Sequence, residues 1–128
     1  MRSYLYLTAA VGAIGVMAGA FGAHALKDTL ITHGTTSTWN TAVLYHLIHA
    51  PALLAVCFQA LDKNAATSWL NKACAAWITG VVLFSGSLYW LSLGGPRWLG
   101  PVTPLGGLFL ILGWLCVAVA AAKHPKTS

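Results

Sequence analysis

Two histidines, His46 and His49, lie one helical turn apart in the segment LYHLIHAP, inside a long apolar run. An imidazole ring can transfer protons, bind a metal ion, or donate and accept hydrogen bonds. The spacing of three residues places both rings on one face of a helix, between Ala42 and Leu53. Because burial disfavours the charged imidazolium, we predict two neutral rings, each donating one hydrogen bond and accepting another.

The composition predicts that these rings lie in a membrane protein. Of the 128 residues, 58% are hydrophobic and 7% are charged, and the mean hydropathy is +0.73. Soluble domains carry roughly 25% charged residues, and seven basic and two acidic residues cannot form the polar surface that a soluble core requires. The net charge of +5 is explained by residues that flank membrane spans, so it does not indicate nucleic-acid binding.

Four apolar segments are each close to the ~20 residues that cross a bilayer as a helix. They cover residues 4–26, 39–61, 69–93 and 104–122. Because the sequence has no internal repeat or linker, we predict a single domain, 1–128, that folds as an all-α, antiparallel four-helix bundle. Two hairpins, each joined by a loop of about ten residues, form this bundle. Thr103 is predicted to cap the fourth helix, with Pro104 at its first position.

The distribution of lysine and arginine predicts the orientation of the bundle. More basic residues lie at the two termini and in the second loop than in the first and third loops, so we expect both termini on the cytoplasmic side of the inner (plasma) membrane. Cys57, Cys74 and Cys116 then fall in the inner, reducing half of their spans, and we expect no disulfide. A signal peptide cleaved at Ala25 is the alternative for the first span, whose apolar run is long for such a peptide.

Glycines repeat at intervals of three and four along the first span. Such a stripe lets another helix approach closely. The sequence alone does not say whether that helix belongs to the same chain or to a second copy. The predicted helix-packing residues are Gly12, Gly15, Gly19 and Gly22.

Depth in the membrane, counted at ~1.5 Å per residue, brings other polar side chains to the level of the histidines. His49 lies close to the midplane, and His46 lies nearer the outer boundary at the level of Ser87. Pro51 is predicted to kink the second span just below His49. We predict a polar cluster in the outer half of the bundle as the candidate ligand-binding site. Its residues are His24, Tyr45, His46, His49, Ser85, Ser87 and Tyr89.

Four blocks of the sequence resemble one known family: GAFGAHALK, TAVLYHLIHA, LFSGSLYWLSL and LGPVTPLGGL. Over nearly its whole length the chain resembles the small four-span bacterial family named domain of unknown function 423, which is similar to the transmembrane protein 256 family. The resemblance implies four helices in the bacterial inner membrane, with no established activity, substrate or cofactor. His46 stands where glutamine is common in bacterial members, and Pro51 stands where a small or aliphatic residue is usual.

Three classes of function are open to such a chain. A structural or assembly component that binds itself or a larger membrane complex needs no chemistry, and it is our first hypothesis. The alternative is a small-molecule, lipid or metal binding or transport protein with an outward-facing polar pocket around His46, His49 and Ser87. An enzyme is disfavoured, because the spans contain no acidic residue and the sequence has no phosphate loop, zinc motif or nucleophile beside a base.

The histidine spacing also disfavours a haem or metal site. Two ligands three residues apart on one helix cannot bind opposite faces of one iron, and His24 differs from His49 in depth by ~10 Å. A metal ion held by His46 and His49 needs a third ligand, which only Tyr45, His24 or water could supply. We therefore predict no cofactor and no bound metal, with the lipid bilayer and a homo-oligomer or larger membrane complex as partners.

Overall fold

Four long helices dominate the computed structural model, which describes residues 1–62 and 66–124. A seven-residue helix lies in the first connection, and one turn of 3₁₀ helix, Arg97–Leu99, lies in the third. The α-helices in chain order are α1 (Arg2–Ala23), α2 (Lys27–His33), α3 (Thr36–Gln59), α4 (Thr67–Ser92) and α5 (Val102–Ala122). The four long helices are each apolar enough to cross a membrane. The predicted all-α, four-span fold is confirmed.

Two details of the predicted connections are wrong. The first hairpin is joined by α2 rather than by a simple loop, and α2 ends at Gly34, whose φ of 64° is a left-handed conformation that glycine adopts without strain. The fourth span begins at Val102 with Pro101 at the N-cap position, so Thr103 does not cap it. Pro104 is still in the first turn, where backbone N–H groups have no partner within the helix, so no hydrogen bond is lost there.

The spans pack in chain order. α1 lies along α3, α3 along α4, and α4 along α5, whereas α1 and α4 touch only slightly. Each neighbouring pair is antiparallel, because a single short connection joins it. Pro51 lies inside α3, and the helix continues on both sides of it. Lys63 and Lys126, two of the basic residues that predict the orientation, lie outside the described residues.

The main core lies where α3, α4 and α5 meet, towards the end of the molecule that carries both chain termini. Trp77 and Leu53 are its largest fully buried side chains. Cys57 and Cys74 are also fully buried, as free thiols whose sulfur atoms lie 3.7 Å apart. The Thr8 hydroxyl of α1 approaches the Cys57 sulfur at 3.6 Å. The start of α1 thus joins this core through a polar contact.

Candidate functional site

His46 and His49 are both buried, each with 4% of its surface exposed. They share a face of α3 with Ala42 and Leu53, which are fully buried. This is the face that the sequence predicts from a spacing of three and four residues. The two rings nevertheless contact different helices, so each has its own set of hydrogen-bond partners.

His46 connects α3 to α1 and to α4. Its Nε2 atom lies 2.8 Å from the backbone oxygen of Val11 in α1. Because a carbonyl oxygen only accepts, Nε2 carries the proton and donates it to this bond. Its Nδ1 atom lies 3.0 Å from the Tyr89 hydroxyl of α4, and it accepts the hydroxyl proton. His46 is therefore a neutral ring with both nitrogens occupied.

His49 connects α3 to α5 and is the opposite tautomer. Its Nδ1 atom donates to the backbone oxygen of Tyr45 at 2.7 Å, one turn earlier in the same helix. Its Nε2 atom then accepts a hydrogen bond of 3.2 Å from the indole nitrogen of Trp114. The ring also meets Trp77 and Trp114 edge-on, with centroid distances of 5.8 and 6.1 Å. Both nitrogens of His49 are likewise occupied.

The two rings therefore have no lone pair free for a metal ion unless one of these hydrogen bonds breaks. Within residues 1–62 and 66–124, no group of three or more histidine, cysteine or acidic side chains is arranged to hold a metal ion. The hydrogen bonds of the two histidine rings join helices to one another. One ring links α1, α3 and α4, and the other links α3 to α5.

The serines and the remaining aromatic residues have separate partners. Ser85 donates to the backbone oxygen of Ala42 at 2.8 Å, which links α4 to α3. Ser87 lies 2.6 Å from the Thr103 hydroxyl, which links α4 to α5. Thr103, predicted as a helix cap, thus has a hydroxyl partner in another span.

Within the predicted cluster, the side chains of His46 and Tyr89 are hydrogen-bonded to each other, and the His49 ring is bonded to the backbone of Tyr45. The Tyr45 ring stacks on Phe84 at a centroid distance of 4.6 Å and is 40% exposed. His24 is exposed at the C-cap of α1. Apart from His24, the residues of the predicted cluster therefore take part in separate contacts rather than lining one pocket.

The glycine stripe of α1 faces α3 of the same chain. A Cβ atom added at Gly15 would lie 2.8 Å from the Leu47 side chain and 3.2 Å from the His46 ring. One added at Gly22 would collide with the Trp39 ring. These two glycines therefore leave the room that the two rings occupy.

The glycines and the ring donors form one repeated arrangement. Trp39 donates its indole proton to the backbone oxygen of Ala18 at 3.0 Å, and Gly22 lies four residues after that oxygen. His46 likewise donates to the backbone oxygen of Val11, and Gly15 lies four residues after that oxygen. In each case a glycine one turn further along α1 lets a ring from α3 reach a helix carbonyl.

A third example, which sequence reasoning missed, joins α4 to α5. Trp77 donates to the backbone oxygen of Leu110 at 3.1 Å, and a Cβ atom on Gly113 would collide with its ring. The available signal was a glycine three or four residues after a carbonyl that a tryptophan on a neighbouring span could reach. That signal requires knowing which helices are neighbours.

One cleft adjoins the predicted site. It has a volume of about 230 Å³ and lies between α1 and α4, where these two helices barely touch. His46 and Tyr89 line it, whereas His49 and Ser87 do not. The other lining residues are Val11, Ile14, Val81, Val82 and Gly86.

Comparison with known proteins identifies the family. The family model described as protein of unknown function (DUF423) matches residues 18–107. The UPF0382 membrane protein YwdK of Bacillus subtilis is 40% identical over 124 residues, which cover 97% of this chain and 99% of the relative. This chain belongs to the DUF423 family. The predicted family resemblance is thus confirmed.

Relatives of this DUF423 protein occur in distant organisms. A UPF0382 membrane protein of Haemophilus influenzae is 35% identical, with 98% of each chain covered. The UPF0382 membrane protein C1782.12c of Schizosaccharomyces pombe is 33% identical, with 88% of this chain and 96% of the relative covered. No solved structure matches. With its four apolar spans, this family member is an integral membrane protein.

Proposed function

We propose that this protein is a non-enzymatic structural or assembly component of the inner (plasma) membrane. One observation carries the proposal: the ring nitrogens of His46 and His49 are all used in hydrogen bonds within the chain. A metal ion or a substrate could reach either ring only after one of these bonds within the chain was broken. The polar groups of the spans therefore hold the helices of this chain together, and interaction with other molecules falls to the exposed faces.

The outer side of α1 is the surface best suited to assembly. Only 11% of its span is buried, against 39% of the span in α3. Tyr6 and Val16 are 78% and 63% exposed. Because lipid tails are as apolar as these side chains, a partner helix would bind there through close packing rather than through the hydrophobic effect.

The proposal includes an orientation with both termini in the cytoplasm. Basic residues favour the cytoplasmic side of a span. Arg2, Lys72 and Lys123 lie at the end of the bundle that carries both chain termini, and Lys27 and Arg97 lie at the opposite end. Cysteine-reactive labelling of the variants Arg2→Cys and Arg97→Cys, each compared with the wild-type chain and its three native cysteines, tests this orientation. A membrane-impermeant reagent added to intact cells should add label only to Arg97→Cys.

The assembly role is tested by the mass of the protein in its own membrane. Membrane patches extracted with a polymer that preserves the surrounding lipid are measured by native mass spectrometry, and we expect a defined oligomer or a complex with other proteins. Val16→Trp alters the exposed side of α1 and should dissociate that assembly. Ile111→Trp, on the exposed side of α5, is the matched control and should leave it intact. A single protomer in every preparation contradicts the proposal.

The cleft beside His46 favours one alternative function, the binding of a small apolar molecule. Tyr89 donates its proton to His46, so its oxygen can still accept a hydrogen bond from a ligand. The cleft, at about 230 Å³, is smaller than the ~300–1,000 Å³ of pockets that enclose a drug-sized ligand. It would therefore hold one ring or a short tail of a molecule that enters from the bilayer.

Filling the cleft tests this alternative. A Cβ atom on Gly86 would have no heavy atom within 4 Å, so Gly86→Leu should occupy the cleft without displacing a helix. If the cleft binds a ligand, wild-type protein carries an extra mass that Gly86→Leu loses, while Ala118→Leu on an exposed position of α5 keeps it. Identical spectra for all three proteins exclude this alternative.

A further inference from the structure

Two lysines share one tryptophan at the end of the molecule that carries both chain termini. The Lys72 ammonium nitrogen lies 4.1 Å from the centroid of the Trp69 ring, and that of Lys123 lies 5.0 Å from the same centroid. Trp69 and Lys72 belong to the first two turns of α4, and Lys123 directly follows α5. The half-buried ring thus holds two positive charges at the junction of two spans.

Basic residues outnumber acidic ones at this end of the molecule. The whole chain has two acidic residues, Asp28 and Asp62. Asp28 lies in α2, at the opposite end of the bundle. Asp62 lies at this end, just after α3, and Arg2, Lys72 and Lys123 outnumber it there. This junction therefore attracts an anion.

An apolar groove begins at Lys72 and follows the seam between α4 and α5. Its volume is about 340 Å³. The positions that α4 contributes recur at three and four residues, so they lie on one face and extend about 10 Å along the helix. The lining residues are Lys72, Ala75, Ala76 and Thr79 of α4, with Phe109, Leu112 and Cys116 of α5. The groove therefore leads from the charged junction along the span.

We propose that this seam binds one anionic phospholipid, with its phosphate at Lys72 and Lys123 and an acyl chain in the groove. Basic residues at the ends of spans attract anionic headgroups, and basic pockets between spans on the cytoplasmic side bind such lipids. The stems of the two lysines can follow apolar surface while their ammonium groups reach the headgroup level. A cation at the mouth of an apolar groove matches a molecule that carries both a phosphate and a tail. This site lies apart from His46 and His49, and it rests on the proposed orientation of the termini but not on the assembly role.

Charge-changing variants test the headgroup part of the site. Purified protein in nanodiscs or detergent is titrated with phosphatidylglycerol or with phosphatidylcholine of the same acyl chains, and bound lipid is counted by native mass spectrometry. Each lysine is expected to contribute roughly fivefold in affinity. The Lys72→Gln/Lys123→Gln double variant should therefore bind phosphatidylglycerol about twenty-fivefold more weakly, with phosphatidylcholine unaffected.

The matched control removes the same number of charges at the other end of the bundle. Lys27→Gln/Arg97→Gln should keep the affinity for phosphatidylglycerol within about twofold of wild type, because Debye screening limits charge effects to about 10 Å. Equal binding of the two lipids by wild type, or an equal loss in both double variants, overturns the proposal.

A second variant tests the groove and separates a lipid from a free anion. Ala75→Phe fills the groove without changing charge and should weaken phosphatidylglycerol binding several-fold, while Ala118→Phe on another exposed face of α5 should not. If Ala75→Phe has no effect, or if millimolar inorganic phosphate displaces the bound mass, the junction is an anion site only and the proposal is wrong. If the double lysine variant does not fold, the comparison of Ala75→Phe with Ala118→Phe still tests whether the seam binds the lipid.

Discussion

The seam between α1 and α3 and the seam between α4 and α5 contain the same arrangement of a ring and a glycine, but the atoms packed against the glycines differ. In both seams a ring nitrogen donates to a carbonyl of the neighbouring helix, and a glycine one turn further along makes room for the ring. The glycines differ in what they face. On α1, an added Cβ atom would meet side chains, those of Leu47, His46 and Trp39.

On α5, an added Cβ atom would also meet backbone. At Gly106 it would lie 2.8 Å from the backbone carbon of Leu83 and 2.8 Å from the Cα atom of Phe84. At Gly80 of α4 it would lie 2.9 Å from the backbone nitrogen of Leu110. A side chain can rotate away, whereas a backbone contact yields only if two helices separate. We infer that α4 and α5 form the rigid half of the protein and that α1 is the more separable helix.

The largest effect is expected at Gly106. Gly106→Ala forces α5 away from the backbone of α4, and we expect the free energy of unfolding to fall by about 3 kcal/mol, at the upper end of the usual range for overpacking. The measurement is a denaturant titration in mixed micelles, followed by circular dichroism.

The adjacent glycine provides the control for this change. A Cβ atom at Gly107 would lie 3.7 Å from the Phe84 ring, an ordinary contact. Gly107→Ala should therefore leave stability within about 1 kcal/mol of wild type, because alanine also favours the helix by about that amount. Equal losses in the two variants would contradict a backbone contact specific to Gly106.

A smaller effect is expected on the α1 side, at Gly22. Gly22→Ala displaces the Trp39 ring and breaks its hydrogen bond to the Ala18 carbonyl. Because the ring can move, we expect a loss of about 2 kcal/mol, from the unmade hydrogen bond and imperfect packing. At Gly12 an added Cβ atom would lie 4.0 Å from Ala50, so Gly12→Ala should be neutral or slightly stabilising in the same titration. If Gly22→Ala lowered the free energy of unfolding more than Gly106→Ala does, the inference that α1 is the more separable helix would be wrong.

Sequence reasoning predicted the spans and the buried face of α3 because both depend on spacing along one helix. Apolar runs long enough to cross a bilayer define the spans. Positions that recur every three and four residues put Ala42, His46, His49 and Leu53 on one face, and all four are buried.

The arrangement of the candidate site could not be predicted in the same way. Depth gives the level of a residue along the membrane normal, but it does not give the direction in which the side chain points around its helix. Ser87 shares the predicted level of His46, yet its hydroxyl pairs with Thr103 of α5. Trp39 is the first residue of the second predicted span, 39–61, yet it is 5% exposed and bonded to α1. Both outcomes depend on which helices are neighbours.

His46 tests how α1 is attached to the rest of the molecule. His46→Leu removes the donor to the Val11 carbonyl and leaves the Tyr89 hydroxyl without its acceptor, so we expect a loss of about 1–2 kcal/mol. Glutamine can donate and accept hydrogen bonds as the neutral imidazole does, and His46→Gln should retain most of the stability. Hydrogen exchange gives the decisive readout: amides of α1 should exchange faster in His46→Leu while those of α5 are unchanged. Uniform acceleration in all four spans would mean that α1 is not a separable helix.

The smallest effect is expected for the hydrogen bond between His49 and Trp114, which connects α3 to the rigid half. A double-mutant cycle with His49→Leu and Trp114→Phe isolates this bond, and we expect a coupling energy of about 0.6 kcal/mol, the average for polar bonds between membrane helices. The value should be small because α5 is already held to α4 by backbone contacts along the seam. A coupling energy above about 2 kcal/mol would mean that α5 depends on α3 for its position, and the rigid half would then include three helices rather than two.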